Sequence, residues 1–312
     1  MNNKIITHFL KTGMYTDAGP YKDLYNSLPD DIYKLREIVN KQHIHKMSLY
    51  RSFLNKNKNN NNLKYKWQNY RCLDDVLLTA TAMTSELIRI NNNKNPFIKI
   101  SQDPNKKLII TCRYVSVLYA SILKAKGIPC RCRSGFAPYL YDDKIVDHWI
   151  VQYYDKNFKK WINVDSQANV KSKNFNICNF PDEAFIWAAD AWLLMRQNKL
   201  KNKENYLNGT KHWGDDTFAW SLLMDFHALF HDEINYVTLP VFLYGKNGEE
   251  KLPKLKQSTL KELDHLASLM KDVDKNFDQL KKIWENNKKF RCVSSALNNP
   301  FLHLELDAKD LR

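Results

Sequence analysis

The sequence predicts an α+β fold, a small antiparallel sheet packed against one helix, with further helices before and after it in the chain. Three observations carry this. Apolar residues recur at helical spacing over much of the chain. Three short β-prone runs, residues 130–138, 146–154 and 159–164, lie close together between turn signals. Of 312 residues, 44% are hydrophobic and 12% aromatic, enough to build a core and too much for a disordered chain. At this length we expect an N-terminal helical region over 1–95, a central core over 96–180, and a C-terminal helical region over 181–312 packed on that core.

Taken in order, the opening segment through Gly13 and Gly19-Pro20 is irregular. Asp30-Asp31 then reads as a helix start, followed by Ile32, Leu35, Ile38 and Val39 on one face. The Lys/Asn run 55–62 reads as a solvated loop. A second helix is expected from about Asp74 to Ile90, where Val76, Leu77, Ala80, Met83, Leu87 and Ile88 form an apolar stripe. From Cys112 to Lys126 the positions Val115, Leu118, Tyr119, Ile122 and Leu123 repeat at helical spacing, and Gly127 supplies a C-terminal stop. After Pro129 come the three strand-like runs, separated by Asp142-Asp143 and by residues 155–157. Residues 181–200, 217–232, 258–270 and 273–287 read as helices, the last two as a surface pair, and no internal repeat is present.

Charge and cysteine content narrow the function classes. A net charge of +14 invites a nucleic-acid partner, but Lys and Asn run together, as an AT-rich coding sequence produces, and no recognition motif accompanies them; nucleic acid is not expected as a partner. The six cysteines, Cys72, Cys112, Cys130, Cys132, Cys178 and Cys292, include no Cys-x-x-Cys pair, so neither a disulfide framework nor a zinc site is suggested. Residues 1–15 lack the apolar run of a signal peptide, and no stretch approaches the roughly 20 apolar residues that cross a bilayer. A reducing, cytoplasmic setting without a membrane partner is expected. Asn208-Gly209-Thr210 fits a glycosylation sequon, which in that setting reads as a turn.

The chemistry gathers around Cys112. A cysteine nucleophile must become thiolate near neutral pH, and a helix start helps because its unpaired N–H groups and dipole favour negative charge. Thr111 precedes it as a candidate cap. A cysteine there is, by itself, more often a small buried hydrophobe. The order that follows changes this: Gly127-Ile128-Pro129, then Arg133-Ser134-Gly135 on a strand, Asp147-His148-Trp149 on the next, and Trp161 before Asp165 at the end of a third. A turn at residues 155–157 would bring His148 beside Asp165, a base and its orienting carboxylate.

The stretch from Cys112 to Asp165 resembles the transglutaminase-like superfamily in these features. Its separations of 36 (148 − 112) and 17 (165 − 148) residues are normal for that order. Residues 185–194, with Ala191-Trp192, further resemble uncharacterised bacterial transglutaminase-like proteins. The resemblance implies a papain-like Cys112, His148, Asp165 triad on a sheet packed against the catalytic helix. Thr111 stands where many members have glycine, which alters the local turn and removes no reacting group.

Other residues carry two readings each. Trp149 either shields the site or is core, and Arg133 either supports the oxyanion or makes a structural ion pair. Cys130 and Cys132 share a strand face, as metal ligands or as packing. His227 and His231 stand four apart on an expected helix but lack the Glu of His-Glu-x-x-His. The expectation is a cysteine-dependent hydrolase or acyltransferase working through a thioacyl intermediate on a peptide, protein or small amide, ester or thioester. It needs no cofactor and no metal. The alternatives are an inactive transglutaminase-like binding module and a basic nucleic-acid-binding protein.

Overall fold

In the computed structural model, which describes residues 3–46, 48, 77–169, 175–207, 214–235, 238–243 and 255–293, α1 (Asn3–Leu10) buries Ile5 and Phe9. A short α2 (Lys22–Asn26) precedes α3 (Ile32–Asn40). The Asp30-Asp31 signal marks the start of α3: Asp31 is extended, and its carboxylate accepts the Lys34 N–H at 2.8 Å. β1 (His43–His45) pairs in parallel with β2 (Leu108–Ile110), a pairing too short for sequence alternation to reveal. Between them α4 (Ala80–Asn91) starts later than the expected Asp74. Leu77 and Leu78 are not helical, and the Thr79 side chain accepts the Ala82 N–H. Residues 74–76, the run 55–62, Cys72 and the 208–210 sequon lie outside the described residues.

α5 (Cys112–Ala125) is buried on every side from Cys112 to Lys124, as a helix enclosed by other elements must be. Gly127, at φ +74, ends it. Its N–H bonds the Lys124 carbonyl at 3.0 Å and that of Ile128 bonds the Leu123 carbonyl at 2.9 Å, which a left-handed glycine permits. β3 (Cys130–Ala137), β4 (Ile145–Asp155) and β5 (Lys160–Val164) follow as an antiparallel meander. The β4–β5 turn is closed by Asp155 Oδ1, which accepts the N–H groups of Asn157 and Phe158. Lys159 takes φ +51, so β5 begins one residue later than its composition suggests.

The expected helix 181–200 is corrected. A 3-10 turn (Asp182–Ala184) and β6 (Ile186–Trp187) come first, and α6 covers only Ala188–Arg196. β6 pairs with β3 at Gly135 and Phe136. The approach depends on glycine, since a Cβ at Gly135 would lie 2.4 Å from the Ile186 carbonyl oxygen and 2.5 Å from the Phe185 ring. β7 (Tyr206–Leu207) pairs in parallel with the start of β4, completing a five-stranded sheet.

α7 (Asp216–Ala228) is buried throughout and stops before the expected Asp232, because His231 turns to φ +64. It lies along β3, where the Asp225 carboxylate accepts the Ser134 N–H at 2.9 Å and two Arg133 N–H groups at 2.8 Å. α8 (Gln257–Met270), α9 (Phe277–Asn286) and a short α10 (Lys288–Arg291) close the described chain. α9 starts after a turn in which Asp272 caps Lys275. The α8–α9 pair is more than a surface feature: Leu263, Leu266, Ala267 and Leu280 are fully buried. One core joins Ile5 and Leu35, Leu118 and Trp149, and Leu222 and Leu280. A smaller cluster gathers Ala137, Tyr139, Ile150, Ala168, Phe180 and Phe185. Among the described residues no helix is long and apolar enough to cross a membrane.

Candidate active site

Cys112 is the first residue of α5 and 4% exposed. The expected side-chain cap from Thr111 is corrected: Thr111 is extended and its hydroxyl makes no capping bond, while its carbonyl accepts the N–H groups of Tyr114 and Val115. The positive end of the helix is therefore not neutralised by that side chain at the position of the sulfur.

His148 sits on β4 directly opposite Gly135 of β3. The β4–β5 register sets Val151 against Val164, so Asp165, one residue beyond β5, is a diagonal neighbour of His148. His148 Nε2 and Asp165 Oδ2 are 2.7 Å apart, and a side-chain hydrogen bond with Cys112 adds to the interactions that favour a charged His148. Asp165 is fully buried, yet its carboxylate has four donors. The Tyr139 hydroxyl donates to Oδ2 at 2.7 Å, beside His148, and the N–H groups of Gln167 and Ala168 donate to Oδ1 at 2.9 and 2.8 Å.

These contacts decide the charges. Burial works to raise the Asp165 pKa, but His148 and the other donors outweigh it and hold the group at about 2. Burial likewise works against a charged His148, but Asp165, with a smaller contribution from Cys112, raises its pKa well above the ordinary imidazole value. Tyr139 is pushed well up, by burial first and then by Asp165, so it stays a donor. Nothing in the sequence singles Tyr139 out, because it lies beyond the end of β3 and outside every motif.

Two neighbours carried a supporting role as one of two readings. Trp149, next to His148 on the strand, points to the opposite face with the Cys130–Cys132 row and belongs to the main core, which also contains Cys112. Arg133 shares the His148 face, but its guanidinium is engaged by Asp225, donates to Gln152 Oε1 at 3.1 Å and lies over the Trp187 ring; it makes a structural ion pair. Cys130 and Cys132 are buried, and burial pushes the Cys130 thiol up to about 12. Cys130 Sγ–H donates to the Ala120 carbonyl. His227 bridges Asp232 and the Phe290 carbonyl, whereas His231 lies beyond the helix end beside Lys124, so the two do not converge. Among the described residues no group of three His, Cys, Asp or Glu side chains is arranged to hold a metal ion.

Residues 106–166 match the family model of the Transglutaminase-like superfamily. That segment holds Cys112, His148 and Asp165. No curated protein matches the chain. Among solved structures, a candidate cysteine protease from Cytophaga hutchinsonii is similar at 14% identity and a TM-score of 0.34, over 61% of this chain and 50% of that one. The chain thus spans about half the length of that structure.

Proposed function

We propose that the chain is a cysteine-dependent acyl-transfer enzyme, with Cys112 as nucleophile, His148 as general base and acid, and Asp165 as the group that orients and charges His148. The observation that carries this is the unbroken hydrogen-bond chain from Cys112 through His148 to an ionised Asp165, at the start of a helix. His148 takes the thiol proton, and Asp165 favours the resulting imidazolium. The thiolate attacks an amide, ester or thioester carbonyl, whose π electrons move to oxygen; N–H groups at the start of α5 hold that oxyanion. Collapse expels the leaving group as His148 returns the proton, leaving a thioacyl enzyme. Water or an amine, deprotonated by His148, then releases acid or amide.

We favour hydrolysis. Cys112 and His148 are 4% and 2% exposed, an enclosure that water enters more readily than a protein-borne amine. The substrate class is a slender peptide or small amide, ester or thioester, and the setting we assign is the cytoplasm, where the free thiols of Cys112, Cys130, Cys132, Cys178 and Cys292 persist. The test is trapping with an acyl-directed thiol probe and mass spectrometry, followed by an amine titration with the acyl donor so found. An adduct on Cys112, with amide formed only in excess amine, is expected. Saturable amide formation at low amine would make it an acyltransferase. No adduct, together with equal iodoacetamide labelling of several cysteines, would leave a binding module.

A further inference from the structure

Residues 165–168, which carry the Asp165 carboxylate, are held from outside the sheet by one helix. Each of their four carbonyl oxygens is bonded by a side chain of α3. Arg36 donates from Nε to the Asp165 carbonyl at 2.8 Å and from Nη2 to that of Ala168. Asn40 Nδ2 donates to the Ser166 carbonyl at 3.3 Å and to that of Gln167. Arg36 and Asn40 stand one helical turn apart, so both present to the same strip of backbone. From the other side the segment's N–H groups at Gln167 and Ala168 point at Asp165 Oδ1, and Ser166 Oγ meets Ser116 Oγ of α5 at 3.3 Å. The loop is thus clamped between α3 and the nucleophile helix, with its carboxylate as the inner contact. Arg36 is itself buried, and among the described residues its guanidinium meets backbone carbonyls and forms no salt bridge. A buried charge used this way costs desolvation, which favours a role that needs the fork geometry over one that any packing residue would fill.

We infer that Arg36 and Asn40 are positioning residues for Asp165, so that a helix outside the family-matched segment 106–166 is part of the site. This rests on the proposed roles of Cys112, His148 and Asp165. When α3 releases the loop, the carboxylate drifts from His148, the ring loses the charge that raises its pKa, and the Cys112–His148 pair forms less readily.

The test reads the ring and the sulfur without a substrate: an NMR titration of His148, and the iodoacetamide rate of Cys112 at about pH 6, below the ordinary thiol range. In Arg36→Gln we expect the His148 pKa to fall toward its ordinary value and labelling to slow roughly tenfold to a hundredfold, as a displacement of about 1 Å can cause. Asn40→Ala, at a half-buried position, should move both readouts the same way by about fivefold in rate, and it keeps the test open if Arg36→Gln does not fold. In an Asp165→Asn background neither substitution should change either readout further, because no carboxylate is left to position. Additive losses there would reduce Arg36 and Asn40 to fold-stabilising residues and overturn the inference, as would unchanged titration and labelling in folded single variants. If wild-type labelling is indifferent to His148→Ala, the proposed function fails first and the inference falls with it.

Discussion

A carboxylate with no exposed surface stays charged only where donors replace its water, and Asp165 has four. Linkage turns this into a pH dependence. With its pKa held at about 2 against an ordinary 3.8, Asp165 contributes stability that is present above about 3.8 and lost as pH falls through about 2. The raised His148 contributes stability that is complete below 6.5 and lost as pH rises through its folded value. The stability difference between wild type and His148→Ala should therefore be largest between about pH 4 and 6.5 and shrink on either side. Urea unfolding across that range checks this, and a difference flat with pH would mean the pair is not ionised. In turnover, Cys112→Ala should abolish activity and His148→Ala nearly so. Asp165→Asn should lose less, up to about 10⁴-fold, since an amide still holds the ring but can favour the wrong tautomer. Steady-state kinetics of the combined variants should show losses that do not add.

At the level of strands and helices, two glycines separate local from long-range control. Gly127 ends α5 at φ +74, and a Cβ added there would meet nothing within 4 Å, so Gly127→Ala should cost about 1 kcal/mol from backbone strain alone. Gly135→Ala must push β6 off β3 at the residue opposite His148, and should cost about 1–3 kcal/mol while also slowing Cys112 labelling. Denaturant unfolding separates the two: equal costs would mean that β6 yields freely. The edge of β3 depends on Asp225, which satisfies both the Ser134 N–H and the Arg133 guanidinium. Asp225→Ala leaves that buried cation unpaired and should lose about 3–5 kcal/mol in the same assay. The first glycine was legible because a helix stop is a local signal; the second was not, because its reason lies 51 residues (186 − 135) downstream in β6.

For the chain as a whole, the central segment shares its core with both flanks. Phe9, Tyr25, Leu35 and Val39 from the N-terminal side and Leu222, Leu266 and Leu280 from the C-terminal side share one core with Leu118 and Trp149 of the central segment. A fragment of residues 96–180 would expose the apolar surfaces of α5 and the sheet that these residues cover. It should show no cooperative transition by circular dichroism, whereas the full chain should unfold in one step by both far-ultraviolet and tryptophan signals. A fragment that melts cooperatively would show that the flanking helices are additions to a core that folds alone.

Features set within a few residues of each other could be read along the chain: the starts of α3 and α5, the glycine stop at Gly127, the hairpin at Asp155, and with that hairpin the nearness of His148 to Asp165. Caps, turns and alternation act through adjacent backbone torsions, so their signals are written locally. Folding in three dimensions was needed to pair residues 186–187 as a strand, to turn Trp149 to the core and Arg133 to Asp225, and to surround Asp165 with Tyr139, Arg36 and Asn40. Arg36 lies 129 residues from the carbonyl it holds. Contacts across such separations are chosen by how buried surfaces fit and by which polar groups must find partners once water is excluded, and no pattern along the chain encodes that choice.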